Sequence, residues 1–166
     1  MDISAQITYQ QADAIVLPFA DQSIDFVVFK SILGVVGRHQ HPKKQQQVLA
    51  EMYRMLKPGG RLFWAENTRA SRLHRWSRRL FVPWGNTWRC ISWIELTRWL
   101  AVFEHSEVHS SGFWAAFIPR PEWPKNTVAQ LENCLPFSPP NWRYVAYGVA
   151  IKHLQYVLFR PSQCYY

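Results

Sequence analysis

The chain has 166 residues, enough for one domain with a real hydrophobic core. Hydrophobic residues at 48% against 18% charged exclude a disordered chain, and no apolar run approaches the roughly 20 residues of a membrane-spanning helix. A formal net charge of +8 leaves two readings, simple solubility or an anionic partner. The excess collects in one stretch, where Arg69, Arg72, Arg75, Arg78, Arg79, Arg89 and Arg98 face a single acid, Glu95. Cys90, Cys134 and Cys164 are widely spaced with no CxxC pair, which makes neither a disulfide framework nor a zinc site and points to a reducing, cytoplasmic setting. The first six residues hold no basic region and no apolar run, so no signal peptide is expected.

In chain order, Ile7 to Ala12 has modest strand character, and Pro18 marks a bend within Leu17-Pro18-Phe19-Ala20-Asp21. The continuous apolar run Asp25 to Phe29 suits a strand buried on both faces, as in a parallel sheet. Lys43 to Leu56 reads as a helix: Pro42 fits its first turn, and Leu49, Met52, Tyr53 and Leu56 share one face. Lys57-Pro58-Gly59-Gly60 stops that helix, with glycine available for a left-handed cap, and Arg61 to Glu66 follows as a strand. Strand, helix, glycine turn, strand is a βαβ unit, which gives parallel pairing with a right-handed crossover. A second helix covers Ser71 to Phe81. A third opens at Ser92-Trp93-Ile94-Glu95, the spacing of a capping box, with Leu96, Trp99, Leu100 and Phe103 on its face. His105 to Ser110 alternates like a strand, Asn126 to Leu135 reads as a short helix, and Arg143 to Lys152 as a strong strand.

Two blocks in this order carry a resemblance. Gln11-Ala12-Asp13-Ala14, then Leu17-Pro18-Phe19-Ala20-Asp21, then Ser23-Ile24-Asp25-Phe26-Val27-Val28 is similar to the third and fourth strands of class I S-adenosylmethionine-dependent methyltransferases of the type 11 kind. Glu51-Met52-Tyr53-Arg54-Met55-Leu56-Lys57-Pro58-Gly59-Gly60-Arg61-Leu62 resembles that family's helix and turn before the fifth strand. The resemblance covers about residues 7–152 and is clearest over 10–67. It implies an α/β, partial Rossmann-like methyltransferase fold: a mostly parallel sheet, an antiparallel carboxyl-terminal strand, and the first two strands absent. The expected organisation is a domain over 1–152 and a tail over 153–166.

The same resemblance implies the cofactor, S-adenosylmethionine, and its contacts. Asp13 stands where the family's acid accepts from the adenine amino group, and Ala14 where a backbone N–H meets the ring, a pairing that suits adenine's donor and acceptor. An ordinary turn is the competing reading of Asp13. Phe29 and Lys30 end the fourth strand, near the methionine half, because ligands sit beyond the carboxyl ends of parallel strands. Lys30 has three readings: the cofactor carboxylate, an anionic substrate, or solvent. Glu66 and Asn67, at the end of the fifth strand, are candidates for the side of an unidentified methyl acceptor. His39 and His41 are loop residues within reach of a general-base role or inert at the surface. No catalytic residue and no metal site is assigned.

The family's first strand leads into a Gly-x-Gly turn, where the backbone must bend sharply and approach the cofactor. Glycines occur here at 34, 37, 59, 60, 85, 112 and 148, none before the Asp13 segment. Three explanations stand: a truncated gene model, a split protein completed by an amino-terminal half or partner chain, or a decayed paralogue. Under the first, the chain alone binds cofactor weakly or not at all.

Arg69, Arg72, Arg75, Arg78 and Arg79 recur about every third residue and share one broad helix face, with Leu73, Trp76 and Leu80 forming an apolar stripe opposite. Such a helix suits a lid over an acidic substrate, an anionic membrane surface, or plain solvation. A non-catalytic binding protein docked on anionic lipid or a partner subunit is therefore the alternative function. Nucleic acid has no recognised motif in its favour.

Overall fold

The computed structural model describes residues 6–81, 87–114, 126–128, 130–132 and 138–154. Its elements are β1 (Ile24–Lys30), α1 (Ile32–Val36), α2 (Pro42–Met55), β2 (Leu56–Asn67), α3 (Arg72–Phe81), α4 (Trp93–Leu100), β3 (His105–Ser111) and β4 (Val145–Ile151). The four strands form one sheet in the order β1-β2-β4-β3. β1 and β2 pair in parallel, and β4 lies antiparallel to both β2 and β3. The expected βαβ unit and the antiparallel last strand are both present. Of the expected helix over 126–135, residues 126–128 and 130–132 are helical and the rest lie outside the described residues.

The sheet has two unlike faces. Leu62, Trp64 and Glu66 of β2 and Ala146 and Ala150 of β4 are buried. Leu62, Trp64, Ala146 and Ala150, with Phe29, meet Val48, Leu49 and Met52 of α2 and Leu96 and Leu100 of α4 in a single core. The period-2 alternation sends the neighbouring residues to the opposite face, where Phe26 is 62% exposed, Val28 76% and Phe63 38%. The doubly buried strand expected at 25–29 is therefore half open. No described helix covers the second face, and no described strand pairs with the far edge of β1.

The strand expected over Ile7 to Ala12 does not form: these residues are exposed and without regular structure. Among the described residues this segment pairs with no strand, although the far edge of β1 is open, and without a ladder its backbone stays irregular.

Two local devices at the α2–β2 junction differ from the expected glycine cap. The helix ends at Met55, and Leu56 is already extended while its N–H still reaches the Met52 carbonyl. The last carbonyls of α2 are instead held by Lys152, whose Nζ donates to Tyr53 O at 2.8 Å and Leu56 O at 2.7 Å. Burial pushes this ammonium below its ordinary pKa, and it also lies 4.6 Å from the Tyr53 ring centroid. Gly59 does take the left-handed conformation (φ 75°), but inside the irregular start of β2, where the register with β1 shifts between Ile24 and Phe26. By contrast, α4 starts as its sequence predicts. Ser92 Oγ accepts from the Glu95 N–H, and the Glu95 carboxylate accepts from the Ser92 N–H at 3.0 Å.

Candidate cofactor edge and the carboxyl ends of the strands

Residues 13–21 are pinned to α2 by an arginine clamp. Leu17 N–H donates to Glu51 Oε1 at 2.8 Å. Arg54 reaches back from the next turn of the helix to Glu51 at 2.8 Å, Phe19 O at 2.8 Å and Asp21 at 2.5 Å. The Arg54 hydrogen bond, with the Leu17 N–H, holds the Glu51 carboxyl at about 2. The Glu-x-x-Arg spacing of α2 thus fixes the loop that leads into β1.

At the head of this loop Asp13 closes a short turn. Its Oδ1 accepts from Ile15 N–H at 3.0 Å and its carbonyl from Val16 N–H at 3.0 Å. Among the described residues, Asp13 Oδ2 and the Ala14 N–H have no hydrogen-bond partner. Ala14 and Ile15 pack against the core cluster that contains Phe29, which ties this turn to β1. Both the turn reading and an adenine edge are compatible with that arrangement: one carboxylate oxygen is used locally, and one acceptor and one donor stay open.

Phe29 is buried in the core, while Lys30 beside it is exposed. Lys30 lines a shallow cleft of about 440 Å³ on the uncovered sheet face, together with Val28, Phe63, His109 and Tyr147. Ser31 follows in the left-handed conformation (φ 56°) and turns the chain into α1.

Glu66 does not face a solvent-open substrate side. Its side chain is 2% exposed, and Oε1 accepts the Leu33 N–H at 2.6 Å in the first turn of α1, where the Ser31 side chain supplies no cap. Oε2 has no partner. Burial raises this carboxyl to about 7 against the pull of the Leu33, Gly34, Asn67 and Ile32 amides. Its inward direction was readable, since Leu62, Trp64 and Glu66 share one side of a strand. Asn67 ends β2, partly buried and in register with Val145. His39 and His41 are exposed, the first on a positive-φ backbone held by the Thr87 carbonyl at 3.4 Å and the second as the N-cap of α2. Nothing in the structure brings either to Glu66.

Gln45, which the sequence reading did not single out, joins Arg89 and Glu95 in a largely buried polar cluster. Arg89 is 7% exposed and donates to Gln45 Oε1 at 2.6 Å and to Glu95 Oε1. Gln45, fully buried, donates in turn to Leu33 O at 2.8 Å and Arg89 O at 2.9 Å. Although burial pushes Glu95 up, the Ser92 N–H and the Arg89 guanidinium bring its carboxyl to about 2. Arg69 stands 3.9 Å from the same carboxylate. One acid therefore serves two of the seven arginines of this stretch, and Arg89 belongs to the interior.

In α3 the inward position is polar, and Leu73 and Trp76 are exposed beside Arg72 and Arg75 rather than opposite them. His74 is buried, with Nδ1 2.8 Å from Ser71 Oγ and Nε2 2.8 Å from Phe113 O. Leu73 and Trp76 are 49% and 61% exposed. Arg72 and Arg75 are exposed and, among the described residues, unpaired. The side chains of Arg78, Arg79 and Leu80 lie outside the described residues.

Residues 2–64 match the family model described as a methyltransferase domain. Among solved structures, a S-adenosylmethionine-dependent methyltransferase from Thermotoga maritima, described as a possible histamine N-methyltransferase, is 22% identical with a TM-score of 0.57, over 85% of this chain and 62% of that one. A S-adenosylmethionine-dependent methyltransferase from Methanosarcina mazei is 18% identical with a TM-score of 0.53, over 87% and 66%. A structure from Haloferax volcanii, of the Trm112 methyltransferase activator with a putative methyltransferase, gives 22% identity and a TM-score of 0.52, over 86% and 60%. No curated protein matches. The chain thus spans less than two thirds of each of these structures.

Proposed function

From a chain that carries part of the class I methyltransferase fold, we propose that it supplies the adenine edge and the substrate-side strand ends of a S-adenosylmethionine-dependent methyltransferase. The observation that carries this is the pair of unused groups at the turn before β1, Asp13 Oδ2 and the Ala14 N–H. An acceptor beside a backbone donor suits the amino group and ring nitrogen of adenine. S-adenosylmethionine, when bound, supplies an electrophilic methyl group on sulfonium. Asp13 and Ala14 hold the base, Phe29 walls the site from the core, and Lys30 is placed to meet the cofactor carboxylate or an anionic acceptor. Asn67 is the substrate-side candidate of β2. Glu66 acts through α1, by holding its first turn next to the strand ends.

Apart from Lys30, no described residue is assigned to the ribose or the methionine half, and a glycine-rich strand–turn–helix unit is the element that fits. The free edge of β1 and the uncovered sheet face, with Phe26 and Val28 on it, offer the place for such a unit, on the same polypeptide or on a partner chain. Isolated from that unit, the 166-residue chain should give no measurable heat on calorimetric titration with S-adenosylmethionine. Micromolar affinity would mean that the site is rebuilt within these residues and would remove the half-site reading.

A second reading rests on α3. The exposed, unpaired Arg72 and Arg75 support a binding role on an anionic surface, independent of catalysis.

A further inference from the structure

We infer that α3 docks on the surface of an anionic lipid bilayer, with Leu73 and Trp76 entering the boundary between headgroups and acyl chains. This rests on the second reading above and names its occupant. The way the helix is mounted carries the inference. A helix on a globular protein turns its apolar stripe to the core and its polar residues to water. Here the inward position belongs to His74, a polar residue with both ring nitrogens engaged, by Ser71 Oγ and the Phe113 carbonyl. Leu73 and Trp76, three residues apart and so on one side, are left in solvent. Arg72 and Arg75 occupy the adjoining outer side.

Two more exposed tryptophans stand around the same anchor. Phe113 packs edge-on against His74 at 5.0 Å and Trp114 at 4.9 Å, and stacks on Trp142 at 6.2 Å. Trp114 is 54% exposed and Trp142 48%. Tryptophan beside arginine is the composition that interfacial helices favour, the indole taking the headgroup level and the guanidinium the phosphates. A nucleic acid would use the arginines but offers nothing to an aliphatic side chain like Leu73. An acidic membrane surface uses both.

Co-sedimentation of the whole chain with vesicles tests this, comparing phosphatidylcholine alone with phosphatidylcholine plus phosphatidylglycerol, at low and high salt, with duplex DNA as a third arm. The expected result is roughly tenfold or greater preference for the anionic vesicles, lost in an Arg72→Gln/Arg75→Gln variant. A Leu73→Ser/Trp76→Ser variant should lose the part of the binding that survives high salt. All four positions are exposed, so unchanged thermal melts show that these variants keep the fold. Vesicle binding that is unaffected by Leu73→Ser/Trp76→Ser would overturn insertion while leaving a charge-driven docking role. Binding to DNA but not to anionic vesicles, or to neither, would overturn the inference. The cofactor-site proposal stands or falls separately, on the calorimetry.

Discussion

Replacing Arg89 with methionine should lower the folding stability by about 3–5 kcal/mol, read as a shift of the urea midpoint at unchanged slope. The effect follows from what Arg89 leaves behind rather than from the pair's net worth. Gln45 Oε1, in a side chain with no solvent exposure, loses its donor, and Glu95 loses the cation that holds its carboxyl down. The damage extends along the chain because Gln45 also holds the Leu33 and Arg89 carbonyls. The guanidinium therefore ties α2 to α4, and Gln45, which it orients, ties them to α1. Arg89→Lys, which restores the charge but not the fork, should recover only part of the loss. A loss below about 1 kcal/mol for the methionine variant would place Arg89 at the surface with its neighbours in sequence.

Glu66→Gln should stabilise the protein at alkaline pH and change little in mild acid. The Glu66 carboxyl sits at about 7 when folded against an ordinary 4.5, so the folded state holds the proton more tightly than the unfolded chain. The stability linked to that proton is complete below the ordinary value and is lost as pH rises through about 7. The size is on the order of 3 kcal/mol. Glutamine mimics the protonated acid and should keep its stability at pH 8, where wild type has lost this part. The gain should vanish near the unfolded carboxyl value. Glu51 and Glu95, both held near 2, act in the opposite sense: their contribution is present above 4.5 and is lost as pH falls toward 2. Wild-type stability should therefore peak in mild acid, at about pH 5. Chemical denaturation of both proteins across pH 4–9 reads this, and parallel pH curves would contradict a proton on Glu66.

Much of the fold follows from local signals. The apolar run of β1, Pro42 at the start of α2 and the Ser92–Glu95 capping box each act within a few residues, and each element stands where those residues put it. Several of the failures are non-local. Ile7 to Ala12 has the composition of a strand but no neighbour, and without a ladder composition is not enough. Lys152 caps a helix about a hundred positions before it, which no window on the sequence reveals. In α3, which side faces inward is settled by the Phe113 carbonyl on a distant segment, and Trp76, one turn on from Arg72, lies beside the arginines rather than opposite them. Two misses were avoidable. Gln45 precedes Val48 and Leu49 on the buried face of α2, and Glu66 follows Leu62 and Trp64 on the buried side of β2, so simple periodicity places both inside.

The cofactor edge was legible only through its resemblance, because an aspartate before an apolar run is most often a turn. The structure keeps that turn and, among the described residues, leaves a carboxylate oxygen and an amide without a partner. Amide NMR of the labelled chain during titration with S-adenosylmethionine to millimolar concentration tests this most directly. Weak shifts confined to Asp13, Ala14, Ile15 and the Phe29–Ser31 strand end are the predicted result. No shift at these positions while others move, or none anywhere, would contradict an adenine edge at Asp13 and Ala14.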